Sequence, residues 1–178
     1  MLLYHLLPKE LSGTKLYPLN ELKKINPALY DRHASKYVGR ETVMLQNIPL
    51  FDCLWNDVIF LSPVHPGKIV TARESCGVPT QDRPERDWLV IQSEKLDQHQ
   101  LLLYRHRPLW LIEQEPQKAE YVPFTELSEA EKVELTEVPE SALWSIRKHR
   151  EKSLFQGFIP HLLYRGTIDV RDGELTAC

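Results

Sequence analysis

Several common signatures of catalytic and metal sites are missing from this chain of 178 residues. The P-loop, the GxGxxG fingerprint, HExxH and GxSxG are all absent. Their absence argues against the commonest classes of nucleotide-binding protein, metalloprotease and hydrolase. The three cysteines, Cys53, Cys76 and Cys178, include no CxxC pair. An odd number without paired spacing argues against a disulfide framework and a zinc site, and favours a reducing compartment. The seven histidines include no i, i+4 pair, so we predict no metal site.

Long apolar runs and an excess of positive charge are also missing. The apolar start, 1–8, is too short for a signal peptide and lacks a basic beginning. No stretch approaches the roughly 20 apolar residues that span a bilayer. The net charge is -3, which gives no overall case for nucleic-acid binding. We therefore expect a soluble, cytoplasmic protein without a membrane partner.

The pattern of the remaining residues predicts a mixture of short strands and helices. Apolar runs at 2–7, 87–91 and 100–105 predict strands. Asn26 before Pro27 predicts the start of a helix that reaches about Val38, and Ser128 with Glu131 forms a capping box. Strands and helices do not alternate, which indicates an α+β fold: one domain, 1–178, with a mixed or antiparallel, possibly split, sheet flanked by helices. Residues 171–178 are expected to form a flexible tail.

The stretch 54–69 combines a buried strand with a stiff polar turn. Asn56 and Asp57 precede the apolar run 58–61, and Ser62 and His65 follow it among two prolines. A rigid polar turn at the end of a buried strand is a good place to hold a ligand. Asn56 and Asp57 also suit a purely structural cap or Asx-turn, and both interpretations stay open.

Other candidate binding residues are scattered through the chain. His5, in the first strand, suits either a hydrogen bond to a ligand hydroxyl or a core position satisfied by the backbone. Arg40 suits a phosphate clamp or a surface ion pair. His33 and Tyr37 share a helical spacing. Three glutamates have positions that suit a carboxylate in a cleft: Glu120, Glu134 and Glu137.

The first strand carries Tyr4-His5, and 56–63 is an apolar strand that leads into a Ser-Pro turn. These two segments resemble the Tyr-His strand and the strand with its Ser-Pro turn in ADP-ribosyltransferases, in particular the DarT-type enzymes that modify DNA. Ala119-Glu120-Tyr121-Val122 looks like the strand that carries the family's catalytic glutamate. The arginine of the family's Ser-Pro turn is missing here, and Arg40 is the nearest candidate for it.

The resemblance implies an enzyme that binds NAD and transfers ADP-ribose to a macromolecular acceptor, nucleic acid or protein. Glu120 would be the catalytic residue that stabilises the developing oxocarbenium charge. The residues expected to bind NAD are Tyr4, His5, Tyr37, Arg40, Asn56, Asp57, Ser62 and His65.

Two other functions remain open from the sequence. One is a non-catalytic α+β module that docks a protein partner through an exposed loop at 73–87. The other is a nucleic-acid-binding protein that uses the basic segment 147–152. The same segment also suits a helix face that is simply exposed to solvent.

Overall fold

The computed structural model of the chain describes residues 1–9, 11, 13–79, 86–105, 120–149 and 159–177. Its strands are β1 (Leu2–Leu6), β2 (Lys15–Leu16), β3 (Asn47–Ile48), β4 (Cys53–Leu54), β5 (Ile59–Leu61), β6 (Asp87–Gln92), β7 (Leu101–Arg105), β8 (Glu120–Pro123), β9 (His161–Tyr164), β10 (Ile168–Asp169) and β11 (Glu174–Ala177). The α-helices are α1 (Leu19–Ile25), α2 (Pro27–Ala34), α3 (Pro66–Ser75), α4 (Glu129–Glu134) and α5 (Glu140–His149). Short 3-10 helices include Ser35–Tyr37, Glu41–Leu45 and Trp55–Asp57.

Two antiparallel sheets form the centre of the fold. One has the strand order β1-β6-β11 and the other β5-β9-β7-β8, and small pairs β2-β10 and β3-β4 lie beside them. The sheets meet at one bridge, where Tyr4 and Ser62 exchange two backbone hydrogen bonds of 2.8 Å. The predicted α+β fold is therefore confirmed, with the sheet antiparallel and split.

Alternation along the strands gives the larger sheet two different faces. One face joins the largest apolar cluster, which includes Leu3 and Leu89 of the first sheet and Leu61, Leu103 and Leu162 of the second. The other face carries a second cluster around Ile48, Leu102 and Leu163, with Phe60, Tyr104 and Tyr121 packed against it. Because side chains point alternately to the two sides of a strand, neighbouring residues of β7 and β8 serve different surfaces.

Several local predictions are confirmed. The run 2–7 forms β1, and the runs at 87–91 and 100–105 form β6 and β7. The Asn26 side chain caps α2 by accepting a hydrogen bond from the Leu29 amide at 3.1 Å. Ser128 and Glu131 form the expected capping box of α4. The two caps were predictable because each capping side chain bonds a backbone amide only three residues further along the chain.

Other predictions need correction. The expected flexible tail is instead the strand β11, which pairs with β6 and gives that strand a second neighbour. Of the expected exposed loop at 73–87, Arg73 lies within α3 and is only 2% exposed, and Asp87 begins β6. Residues 80–85 lie outside the described part. In the segment 147–152, Arg147 and Lys148 are exposed residues in the last turn of α5, and residues 150–152 lie outside the described part. None of the helices in the described ranges combines the length and apolarity needed to cross a membrane.

Candidate functional site

A large cleft opens between the first strand, the helical segment 19–45 and the aromatic face of the larger sheet. Its volume is about 1560 Å³. Its floor includes Tyr4 and His5 of β1 and the end of β5. Six of the nine residues predicted from the sequence line it: Tyr4, His5, Tyr37, Arg40, Asn56 and Ser62. The chain thus brings together residues that are up to 58 positions apart, from Tyr4 to Ser62.

His5 is held by a backbone carbonyl. Its ring Nδ1 lies 2.8 Å from the carbonyl oxygen of Phe60, which can only accept a hydrogen bond, so Nδ1 carries the proton. Burial lowers the pKa of His5, as do the charges of Lys36 and His33, while the bond to Phe60 opposes the shift. A neutral imidazole protonated at Nδ1 keeps Nε2 as an acceptor. His5 therefore offers the cleft a fixed acceptor for a ligand hydroxyl.

The Ser62–His65 turn lies beside His5, as the sequence suggested, but its side chains have local partners. The Ser62 hydroxyl donates to the Val64 carbonyl at 2.9 Å and accepts from the Val64 amide at 3.1 Å. His65 is exposed, and its Nδ1 accepts from the Gly67 amide at 3.0 Å at the start of α3. The His65 ring packs edge-on against Tyr4, with centroids 5.0 Å apart. These two side chains shape the turn, and His65 does not line the cleft.

Asn56 and Asp57 separate into two roles. Asn56 is buried, at 4% exposure, and lines the cleft. Asp57 points to a smaller neighbouring pocket instead. Its carboxylate accepts from the Asn20 amide group at 2.7 Å and from the Leu54 backbone amide at 2.8 Å. Asp57 therefore links α1 to the 3-10 helix Trp55–Asp57, so its role is the structural one of the two that its sequence context allowed.

The helical segment on one side of the cleft carries cations. Arg40 donates through Nη2 to the Lys36 carbonyl at 2.9 Å, and the Lys36 ammonium lies 5.1 Å from the centre of the Tyr37 ring. Desolvation at the cleft wall lowers the pKa of Lys36, and the charge of Arg40 lowers it further. Burial raises the pKa of Tyr37, partly offset by a hydrogen bond from Trp55 and by Arg40. This wall is positively charged at neutral pH.

The opposite wall is aromatic. His161, Tyr104 and Tyr121 occupy one row across β9, β7 and β8, because Tyr104 pairs with both of the others. Tyr104 and Tyr121 have ring centroids 5.4 Å apart, and Trp55 packs edge-on to Tyr104 at 5.2 Å. Burial raises the pKa of Tyr104 to about 12 and also raises that of Tyr121. Both phenols remain protonated, and their rings form a planar surface on this side of the cleft.

The predicted catalytic Glu120 does not line this cleft. It is the first residue of β8, pairs with Arg105, and lies one residue before Tyr121. Since Tyr121 faces the cleft, strand alternation directs Glu120 to the other face, where Val122 packs against the larger core. Glu137 forms an ion pair with Lys68 at 2.6 Å, and Glu134 ends α4; neither lines the cleft.

The described cleft lining is strongly unbalanced in charge. It contains no Asp or Glu, whereas six of its side chains are basic: Lys9, Lys15, Arg32, Lys36, Arg40 and Arg86. This occurs in a chain whose net charge is -3. Clefts lined by one sign of charge concentrate ligands of the opposite sign. The arrangement suits an anionic ligand that also carries rings and hydroxyl groups.

Several residues of the cleft were not predicted from the sequence. Lys36 is one of them, although its spacing of three residues from His33 and four from Arg40 was an available signal. Tyr104, Tyr121 and His161 had no such signal, because their shared row depends on strand pairing across 106–119 and across α4 and α5. Among the described residues, no group of three His, Cys, Asp or Glu side chains is placed to hold a metal ion.

We compared the chain with known protein families, curated proteins and solved structures. No protein-family model, curated protein or solved structure matches the chain.

Proposed function

We propose that the cleft binds NAD and that the protein is an ADP-ribosyltransferase-like enzyme that transfers ADP-ribose to a macromolecular acceptor. The observation that carries the proposal is the fixed acceptor His5, placed in the same cleft as the cations Lys36 and Arg40 and an aromatic wall. NAD presents ribose hydroxyls, a diphosphate and two planar ring systems. Each of these chemical features has a matching group in the cleft.

The dimensions of the cleft support a large ligand. A volume of about 1560 Å³ is larger than the roughly 300–1,000 Å³ of typical small-molecule pockets. The cleft therefore has room for an extended dinucleotide and for part of an acceptor. The rings of Tyr104 and Tyr121 can stack on a planar ring of the ligand.

Binding of NAD is tested by titration calorimetry on the full chain. We expect His5→Ala to weaken NAD binding about fivefold, because one ribose hydrogen bond of about 1 kcal/mol is lost. His99→Ala is the matched control, since His99 is exposed and does not line the cleft. Far-UV circular dichroism establishes that both variants fold. Absence of NAD binding at millimolar concentration would refute the proposal.

The transfer step is tested separately, because the described cleft lining supplies no carboxylate. NAD supplies a ribose carbon whose bond to nicotinamide breaks with the electron pair leaving on the ring, while the acceptor bonds to that carbon and loses a proton. A carboxylate stabilises the positive charge that develops there. Because strand alternation directs Glu120 away from the cleft, we expect Glu120→Gln, like Glu134→Gln, to leave nicotinamide release unchanged. A loss of about 100-fold in Glu120→Gln alone would instead assign the role of this carboxylate to Glu120.

A second candidate function is a non-catalytic module, which binds its ligand without turnover. The absence of Asp and Glu from the described cleft lining favours it. In that case NAD binds, nicotinamide release stays at the rate without protein, and Glu120→Gln changes nothing. The same two assays therefore separate the enzyme from the module.

A further inference from the structure

Three basic residues, His33, Lys36 and Arg40, follow one another at intervals of three and four residues. His33 and Lys36 belong to two consecutive helices, whereas Arg40 follows the end of the second one. The chain follows α2 to Ala34 and continues as the 3-10 helix Ser35–Tyr37. All three residues line the cleft.

The backbone of this segment fixes where the charges lie. After Tyr37 the chain reverses at Gly39, whose φ of +77° is in the left-handed region that glycine adopts without strain. The Arg40 amide donates to the Tyr37 carbonyl at 2.7 Å, and its guanidinium donates to the Lys36 carbonyl at 2.9 Å. The Arg40 side chain therefore folds back over the helical turn toward Lys36.

The charges repel one another across this small region. Burial is the main cause that lowers the pKa of His33, and the charges of Lys36 and Arg32 lower it further. The pKa of Lys36 is likewise lowered by burial and then by the charge of Arg40. The nearest carboxylate in the turn, Glu41, accepts from the Gly39 amide at 2.8 Å and does not line the cleft. Like charges gathered on one wall of a cleft attract an anion to the space between them.

We infer that His33, Lys36 and Arg40 form a subsite for a diphosphate group. A forked guanidinium and an ammonium together offer several donors to the oxygens of one anion, and charge-assisted bonds of this kind are the strong ones. The identification of this anion as the diphosphate of NAD rests on the proposed function. The anion site itself does not, because it follows from the charges and their positions.

The probe for the site is inorganic pyrophosphate, titrated into the full chain at low ionic strength. We expect binding by the native protein, and about tenfold weaker binding for Lys36→Met and for Arg40→Gln. Lys36→Arg keeps the charge and should restore most of the affinity. Lys24→Gln is the matched control, because Lys24 is an exposed cation on α1 that does not line the cleft; its affinity should stay within twofold of native.

Parallel titrations with NAD separate this inference from the proposed function. If pyrophosphate binds and competes with NAD, the subsite and its assignment both stand. If pyrophosphate binds as expected but NAD does not, the anion site stands and the NAD proposal fails. If NAD binds while pyrophosphate does not, or if Lys36→Met and Arg40→Gln match Lys24→Gln, the inference is overturned.

Discussion

Asp57 provides the clearest quantitative test, because the structure assigns it to stability although the sequence suggested NAD binding. Its carboxylate accepts two hydrogen bonds, from Asn20 at 2.7 Å and from the Leu54 amide at 2.8 Å. Hydrogen bonds to charged groups contribute about 1.5–3 kcal/mol each. The bond to Leu54 is exposed, so water replaces much of it in a variant. We therefore expect Asp57→Ala to lower the free energy of unfolding by about 2–3 kcal/mol.

The assay is urea unfolding, followed by tryptophan fluorescence and by circular dichroism. A loss of this size lowers Tm by about 4–12 °C in a domain of 150–250 residues. Asn20→Ala removes one of the two bonds, and the double variant then gives the coupling between Asn20 and Asp57. NAD affinity of folded Asp57→Ala should match that of the native protein. Unchanged stability together with a large loss of NAD affinity would refute this reasoning.

Two further predictions concern pH and backbone packing. Burial lowers the pKa of His5 and His33, so below about pH 6.5 the unfolded chain takes up protons more readily than the folded one. The free energy of unfolding should therefore decrease as the pH falls from about 7 to 5, and His5→Gln should flatten this slope in urea titrations; an unchanged slope would contradict a neutral, buried His5. Gly173→Ala should destabilise the protein by about 1–3 kcal/mol, since a Cβ at Gly173 would lie 2.6 Å from the Val90 carbonyl oxygen. Equal stability of that variant in thermal unfolding would show that β11 can shift away from β6.

Local signals in the sequence predicted local structure well. The capping residues Asn26 and Ser128 act on amides three residues away, so their identity and spacing were sufficient. The apolar runs identified β1, β6 and β7 for the same reason. The bridge between Tyr4 and Ser62 connects residues 58 positions apart, which no local signal could indicate.

Non-local pairing was the part that the sequence did not determine. Whether Glu120 or Tyr121 faces the cleft depends on the register between β8 and β7, across the residues 106–119. The position of 171–178 at the end of the chain predicted a flexible tail, whereas 174–177 pairs with the edge of β6. Asp57 had equal chemical reason to bind a ligand or to cap, and only its distance to Asn20 decides.

Because side chains alternate along β8, only one of the neighbours Glu120 and Tyr121 can face the cleft. Rotating a side chain leaves it on its own face of the strand, so no change of rotamer exchanges Glu120 with Tyr121. A slip of one residue in the pairing with β7 would exchange them, but it would also turn Val122 out of the core and Tyr121 into it. The pairing that packs Val122 against the core therefore also places a ring rather than a carboxylate at this point of the cleft.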